Sequence, residues 1–467
     1  MPRLRLRRLF LTLTAIACGS LLLLNFKIRE TILSGRTDQT TEVTLRKSNI
    51  RALSVASTTS VFPGIEELEE SQPTLSNIEK YWFMKDGMIR PLTIPNASPK
   101  DLPQPRIWPH EEDGDRITNQ LMYIPPGYEP EDNTTKPPKL KKILLYFGRG
   151  GWHDLPMGRT VFQRDKCPID RCELTTSHSQ AATVDAIFFK DRFSWPKHKR
   201  SPNQVWILFL LECPLHTQRF GNLGGVFNWT ATYRHDSDVV APYEKFVSYY
   251  EESVPLPTNV RKNYAAGKTK KVAWFVSNCA ARNHRLQYAR ELSRHIQVDI
   301  YGICGNHRCP RTHARKCFQM LDRDYKFYLA FENSNCKDYI TEKFFVNGLG
   351  RDVIPIVLGA KPEDYRRSAP YHSYIHVEDF DTPKDLAEYL MVLDKNDTLY
   401  NEYFRWKGTG EFVNTYFWCR LCAMLHAPPQ PKVYRDMHAW WSGAGTCTSG
   451  SWKKSVEKNP IAVEIYN

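Results

Sequence analysis

No block of basic residues interleaved with aromatics occurs anywhere in this 467-residue chain, and no Cys/His spacing of a standard zinc finger. The formal net charge of +13 is instead spread along the sequence, which argues against a nucleic-acid partner. No small-x-small cleavage site follows the apolar segment Leu9 to Leu24; LLLLNFKIRE follows it, which argues against a cleaved signal peptide. From about Lys27 to Pro103 there is no sustained hydrophobic periodicity, only Thr, Ser, Pro and charge, a composition that reads as a flexible stem. What is present at the N-terminus is a signal anchor. Arg3, Arg5, Arg7 and Arg8 precede the apolar segment and keep that end cytosolic. A segment of about 17 residues suits a thin early-secretory bilayer. The expectation is a cytosolic tail at 1–8, a single membrane span at 9–26 and a lumenal remainder.

A lumenal remainder brings its own chemistry. N-x-S/T sequons stand at Asn96, Asn133, Asn228 and Asn396, each a glycosylation candidate. There are 12 cysteines. Setting aside Cys18 in the apolar segment leaves an odd number, so at least one is unpaired within the chain, and an oxidising lumen favours disulfides for the rest. The stretch CGNHRCPRTHARKC, with Cys304, His307, Cys309, His313 and Cys317, has the look of a zinc cluster, but disulfides are the expected use there. Cys279 and Cys336 both sit just past strand ends, and a bridge between them is expected if those strands are adjacent. Cys419-Arg-Leu-Cys422 is a C-x-x-C without thioredoxin-like surroundings.

The organisation follows from short apolar runs. KKILLYF from Lys141, DAIFFKD and QVWILFLLE read as buried strands. KVAWFVSN, VDIYGIC, YKFYLAFEN and VIPIVLG repeat the pattern after a polar linker, with helical spacing at Leu286 to His295, in TEKFFVNGL and in TPKDLAEYLMVL. Strands alternating with helices predict parallel α/β sheets with right-handed crossovers. The expected boundaries are a stem and loop-rich entry at 27–137, α/β domains at 138–258 and 259–425, and a tail at 426–467. In open α/β sheets ligands bind beyond the carboxyl ends of strands.

FENSNCKDYITEKFF, Phe331 to Phe345, lies at such an end. Thr341 is a candidate N-cap. Lys343 falls in the first helical turn, where a cation opposes the dipole unless an anion sits nearby. Glu342 can accept from a sugar hydroxyl, and Asn333 and Tyr339 add neutral partners. An ordinary βα turn with solvated charges is the alternative.

FENSNCKDYITEKFFVNGLGRDVIPIVLG resembles the motif of the GDP-fucose-dependent α1,3-fucosyltransferases. VSNCAARNHRLQYARELSRHIQVDIYG, FNWTATYRHDSDVVAPY and WILFLLECP resemble further segments of that family, so that the likeness runs from about Lys141 to Cys422. The wording SNCAARN and FENSNCKDYITEKFF is similar to the invertebrate and plant type that modifies the N-glycan core. The resemblance implies a GT-B fold of two facing Rossmann-like domains, 138–258 on the acceptor side and 259–425 binding GDP-fucose. It implies an inverting transfer of L-fucose to the innermost GlcNAc of N-glycans, on a Golgi membrane, with the catalytic part lumenal. A Lewis-type enzyme acting on N-acetyllactosamine, and an inactive sugar-binding lumenal protein, are the alternatives.

Such a transfer needs one general base and cations or dipoles for the leaving diphosphate. Glu212 matches the family's catalytic carboxylate, and a place at the lip of a partly apolar cleft would raise its pKa toward the working pH. Lys343 and Arg285, with Arg282 a near alternative, match phosphate-contacting positions; an arginine fork suits a diphosphate. Asn333, Tyr339 and Glu342 match positions that hold the nucleotide sugar. Tyr233 and Arg234 would reach the same cleft from the first domain, unless Arg234 pairs with Asp238. Asp236-Ser237-Asp238 is a D-x-D triplet of the kind that holds Mn²⁺ elsewhere. With Lys343 and Arg285 at hand no metal or other cofactor is expected to be required, although stimulation by Mn or Mg is compatible. The family also pairs a C-terminal C-x-x-C with two early cysteines, here Cys419 and Cys422 with Cys167 and Cys172. Trp440 and Trp441 lie past the resemblance; an aromatic pair there can stack on acceptor sugars, but packing is the more common use.

Overall fold

Short runs rich in Ile, Leu, Val and Phe, buried on both faces, build two parallel sheets. The computed structural model describes residues 80–91, 105–110, 114–128, 139–250, 257, 260 and 262–453. The expected span at 9–26 and the sequons at Asn96 and Asn133 lie outside the described residues. Among the described residues no helix is long and apolar enough to cross a membrane. Residues Arg149–Leu155 group apart from the rest, in a turn where Trp152 N donates to Arg149 O at 2.9 Å.

The first sheet contains β1 (Lys141–Leu145), β2 (Cys172–Thr175), β3 (Ala186–Lys190), β4 (Val205–Leu210) and β5 (Trp229–Thr232), in the order β2-β1-β3-β4-β5. Every pairing in it is parallel. After β6 (Lys245–Ser248) come β7 (Lys270–Phe275), β8 (Val298–Tyr301), β9 (Tyr325–Phe331), β10 (Asn335–Cys336), β11 (Ile354–Leu358) and β12 (Ile375–His376). The second sheet has the order β12-β11-β9-β7-β8, again all parallel. Counted from its own first strand, the second sheet repeats the order of the first. Each is a doubly wound 2-1-3-4-5 sheet whose order reverses between its first and third strands. In the second sheet that reversal lies between β7 and β9. Two antiparallel pairs complete the set: β6 with β13 (Gly410–Val413), and β10 with β14 (Cys447–Thr448).

The apolar runs appear as strands where expected. The predicted helix over TEKFFVNGL is one α turn, Glu342–Phe344, continuing as a π turn over Phe345–Leu349. β2 and β5 are additions, because CELT and WTAT are short and half polar; Thr230 and Thr232 are nevertheless fully buried. The stem also needs correction. Within 27–137, Trp82, Phe83, Ile107, Ile117 and Leu121 are buried, and Trp82 Nε1 donates to Leu121 O at 3.2 Å. The helix Arg116–Met122 is capped by Asp115, and Gln120 on it bonds Asp238 O at 2.8 Å and receives Arg420 at 3.1 Å. These few apolar anchors are masked by the polar average around them.

Five disulfides are present among the described residues, and Cys213 is free. Cys167 joins Cys419 and Cys172 joins Cys422. The zinc-like stretch is disulfide-bonded, through Cys309–Cys317 and Cys279–Cys304. The expected Cys279–Cys336 bridge is therefore overturned. β7 and β9 are indeed neighbours, but β8 also flanks β7 and its following loop supplies Cys304. Cys336 is carried away into the core beside the first sheet and meets Cys447. Asn228 is half-buried, and its Nδ2 donates to Lys432 O at 2.9 Å; a glycan there would break that bond. Asn396 is exposed and caps the helix Asp397–Glu402.

The bridges differ in the stability they carry. Those to Cys419 and Cys422 close loops of 252 and 250 residues, against 8 for Cys309–Cys317. Replacing Cys419 and Cys422 by serine, with their partners, is expected to lower the guanidinium unfolding midpoint by an equivalent of about 2–5 kcal/mol. The Cys309/Cys317 pair is expected to cost less. Equal or reversed losses would contradict this ordering.

Candidate active site

β4 is VWILFL, buried from its second residue onward, and the chain leaves its carboxyl end through Leu211 to Glu212. Tyr243 fixes this exit by donating to Leu211 O at 2.9 Å. Glu212 Oε1 accepts from Tyr339 OH at 2.7 Å and from Cys213 N at 2.9 Å, with a long contact from Asn333 Nδ2 at 3.5 Å. His216 Nδ1 is 3.6 Å away, and the Glu212 side chain is 36% exposed. Burial pulls its pKa upward, but His216, Tyr339 and the Cys213 N–H outweigh it and lower it to about 2. The expected upward shift is thus reversed: the apolar lip is lined with donors to the charged form. His216 is raised to about 10 through its contacts with the Cys213 sulfur and with Glu212. Buried Cys213 lies 3.3 Å from His216 Nδ1 and 3.2 Å from Ser334 Oγ.

Two of the donors to Glu212, Tyr339 and Asn333, come from the loop after β9, at the reversal point of the second sheet. β9 is YKFYLAF, buried throughout. Glu332 follows it, fully buried, and turns back on the loop it begins. Its carboxylate accepts from Thr341 N at 2.8 Å and from Thr341 Oγ1 at 2.8 and 3.0 Å. The loop is thereby closed into a ring from 332 to 341. A Cβ at Gly359 would stand 2.7 Å from Glu332 Cγ, so only glycine lets the carboxylate pass. Asn283 ties the ring from outside, donating to Glu332 O at 3.0 Å and Asn335 Oδ1 at 2.9 Å. Thr341 caps the short helix as expected.

Lys343 Nζ lies 3.0 Å from Glu332, 3.3 Å from Glu342 and 2.8 Å from Thr341 Oγ1. Burial would discharge it, but Glu332 and Glu342 hold its pKa above the usual lysine value. The cation expected to face an anion is here balanced by two carboxylates. Arg285 departs further from expectation. It is buried, and its two terminal nitrogens donate to Phe331 O at 2.7 Å and Asn278 O at 3.0 Å. It spans the crevice between β7 and β9 and braces it, while its Nε has no hydrogen-bond partner among the described residues. Arg282 is exposed.

On the side of the first sheet, Tyr233 is buried with its ring 5.2 Å from that of Tyr339, and its hydroxyl has no hydrogen-bond partner among the described residues. Arg234 takes neither expected role. It forks onto Asp236, at 2.8 and 2.5 Å, and donates to Trp440 O. Asp238 instead accepts from Thr230 N at 2.7 Å and Tyr434 OH at 2.9 Å, and pairs with Lys432. The two acids of the D-x-D triplet thus serve separate structural partners. Loop contacts also join the two sheets: His235 Nδ1 meets Asp338 at 2.6 Å, and Arg367 reaches both.

Glu212, Asn333, Tyr339, Glu342 and Lys343 therefore gather at one place, with Tyr233 beside them, while Arg285 and Arg234 stand behind it as braces. Sequence reasoning passed over Glu332, whose signal was an acid ending a wholly apolar strand. His216, four residues after Glu212, was also passed over.

Two family models match this chain. The fucosyltransferase N-terminal model covers residues 138–244, and the C-terminal model of glycosyltransferase family 10 (fucosyltransferase) covers 265–440. The chain is 54% identical over 392 residues to glycoprotein 3-alpha-L-fucosyltransferase A of Drosophila melanogaster, covering 82% of this chain and 76% of that protein. It is 31% identical to alpha-(1,3)-fucosyltransferase fut-1 of Caenorhabditis elegans, over 79% of this chain and 89% of that one. A solved α1,3-fucosyltransferase with GDP-fucose matches at 15% identity and a TM-score of 0.41, over 69% of this chain and 98% of that chain. On the two family matches and the identity to the Drosophila relative, the chain belongs to glycosyltransferase family 10, the fucosyltransferases.

Proposed function

We propose that this protein transfers L-fucose from GDP-fucose, with inversion, to the O3 of the innermost GlcNAc of N-glycans on glycoproteins. The observation that carries the reading is the hydrogen bond from Tyr339 to Glu212 at 2.7 Å, which sets an acid of the first sheet against the phosphate-type loop of the second. The name of the Drosophila relative supports the glycoprotein acceptor. In this reading the two sheets are the halves of a GT-B transferase. The acceptor hydroxyl replaces one of the donors now on Glu212. Losing that donor raises the basicity of the carboxylate as the hydroxyl proton reaches it, and O3 attacks the anomeric carbon opposite the leaving GDP. Lys343 exchanges its bond to Glu342 for the diphosphate, and the freed Glu342 accepts from a hydroxyl of the donor. Asn333 and Tyr233 lend polar groups to the nucleotide sugar. Arg285 supports this electrostatically from behind the loop.

The cation for the leaving diphosphate is supplied by the chain itself, and Asp236 and Asp238 are engaged elsewhere, so the reading needs no divalent metal. The Arg-flanked apolar segment 9–26 supports a single-pass type II anchor, and five disulfides support an oxidising lumen. Golgi residence with a lumenal catalytic part completes the proposal.

A secreted fragment with GDP-fucose and two acceptors, an N-glycan with exposed core GlcNAc and N-acetyllactosamine, is expected to yield α1,3-linked core fucose. Glu212→Gln is expected to lower kcat by about 10²–10⁴-fold while GDP still binds. Transfer to N-acetyllactosamine alone would overturn the acceptor, and undiminished turnover in the variant would overturn the base. Turnover is expected to survive exhaustive chelation; its complete loss would show that a metal carries the phosphate charge. The pH profile offers a further check. A carboxylate held at about 2 stays ionised as pH falls through the usual range, so Glu212 imposes no acid limb near neutrality. Tyr339→Phe removes a donor to the charged form, raises that pKa, and is expected to move the carboxyl titration midpoint of Glu212, read by carbon-13 NMR, upward by roughly one pH unit. An unmoved or lowered midpoint would contradict it.

A further inference from the structure

Residues beyond the family match at 440 do not trail away. They cross the active site as a strap that holds both sides of it. Against the first sheet, Trp441 is completely buried. Its Nε1 donates to Thr217 Oγ1 at 2.8 Å, on the loop that follows Glu212. Its ring lies 5.7 Å from Tyr233, which lies 5.2 Å from Tyr339. Against the second sheet, Cys447 is bridged to Cys336, β14 pairs with β10, and Lys337 N donates to Thr446 O at 2.8 Å. Cys336 and Tyr339 share one buried cluster with Trp441 and Tyr233.

We infer that Trp441 is a positioning residue for the reaction and that the strap from 441 to 453 sets the hydrogen bond between Tyr339 and Glu212. The inference rests on the fucosyl-transfer reading above. The physical reason is reach. Tyr339 and Glu212 belong to different sheets, and their hydrogen bond tolerates only a few tenths of an ångström of play. The tilted ring contacts Trp441–Tyr233–Tyr339 fix the tyrosine from behind. The Thr217 bond fixes the segment bearing Glu212 and His216. The disulfide and short strand pairing keep the ring from 332 to 341 from lifting. Among the described residues no strap side chain hydrogen-bonds Lys343 or Glu342; the nearest strap bond on that side is Trp452 Nε1 to Gly359 O at 2.9 Å.

Two measurements test this. In the transfer assay, Trp441→Ala is expected to lower kcat by roughly tenfold or more, since small misplacements at a reacting centre are costly, with GDP affinity unchanged. The carboxyl titration midpoint of Glu212, read by carbon-13 NMR, should move upward, as in Tyr339→Phe. Trp441→Phe, which keeps ring packing without the Thr217 bond, should recover part of the rate. Loss of GDP affinity in step with kcat, or an unmoved Glu212 midpoint, would overturn the positioning role. Independently of activity, amide hydrogen exchange compares the wild type with the Cys336→Ala/Cys447→Ala pair. The amides of Lys337 and Tyr339 should exchange much faster in the variant, with β3 and β9 unchanged as a control for folding. Unchanged exchange at Lys337 and Tyr339 would overturn the strap. A wild-type chain that transfers no fucose would sink the functional reading alone, and the exchange result would still decide whether the strap holds the loop.

Discussion

The hydrogen bond from Tyr339 to Glu212 joins a loop of one parallel sheet to the strand end of another, and the arrangement of the site depends on it. Neither residue would be informative in isolation. An acid at a strand end is usually solvated, and a tyrosine in a βα loop usually packs. Together they set a carboxylate of the first sheet against the loop that carries Glu332, Glu342 and Lys343. The surrounding structure serves to keep them in register. Tyr243 fixes the chain just before Glu212, and His235 with Asp338 ties the next loop across.

Buried charge is the second constraint, and Glu332 shows how it is handled. A fully buried carboxylate is expensive unless hydrogen bonds and a cation satisfy it. Thr341 supplies two donors and Lys343 the cation. In doing so they close the loop and hold the lysine between Glu332 and Glu342. Arg285 does the complementary work from inside, tying the carboxyl ends of both strands through their carbonyls.

Much of this was legible in the sequence, for identifiable reasons. Strands buried on both faces must be continuous apolar runs, so the long members of both sheets could be read directly. FENSNCKDYITEKFF announced a site because polar residues at the end of such a run need an explanation. Strand order was not legible, because it depends on contacts between distant segments, and neither were β2 and β5, whose four residues are half polar. The Cys279–Cys336 expectation failed for the same reason: one strand has two neighbours, and the sequence does not say which loop returns. Arg285, matched by resemblance to a phosphate-contacting position, donates to Phe331 O and Asn278 O, and Arg234, expected either to reach the cleft or to pair with Asp238, donates to Asp236 and Trp440 O. The tail after Cys422 carried no periodic signal, yet Trp441 and Cys447 reach back across more than a hundred residues.

His216, together with Tyr339 from the loop after β9, holds Glu212 ionised. The most direct test is a carbon-13 titration of glutamate side-chain carboxyls, with the Glu212 signal assigned by comparison with Glu212→Gln. The expected result is a Glu212 carboxylate still ionised at pH 4, below the ordinary value of 4.5 for that side chain. A midpoint at or above 4.5 would show that Tyr339 and His216 do not hold the base as described.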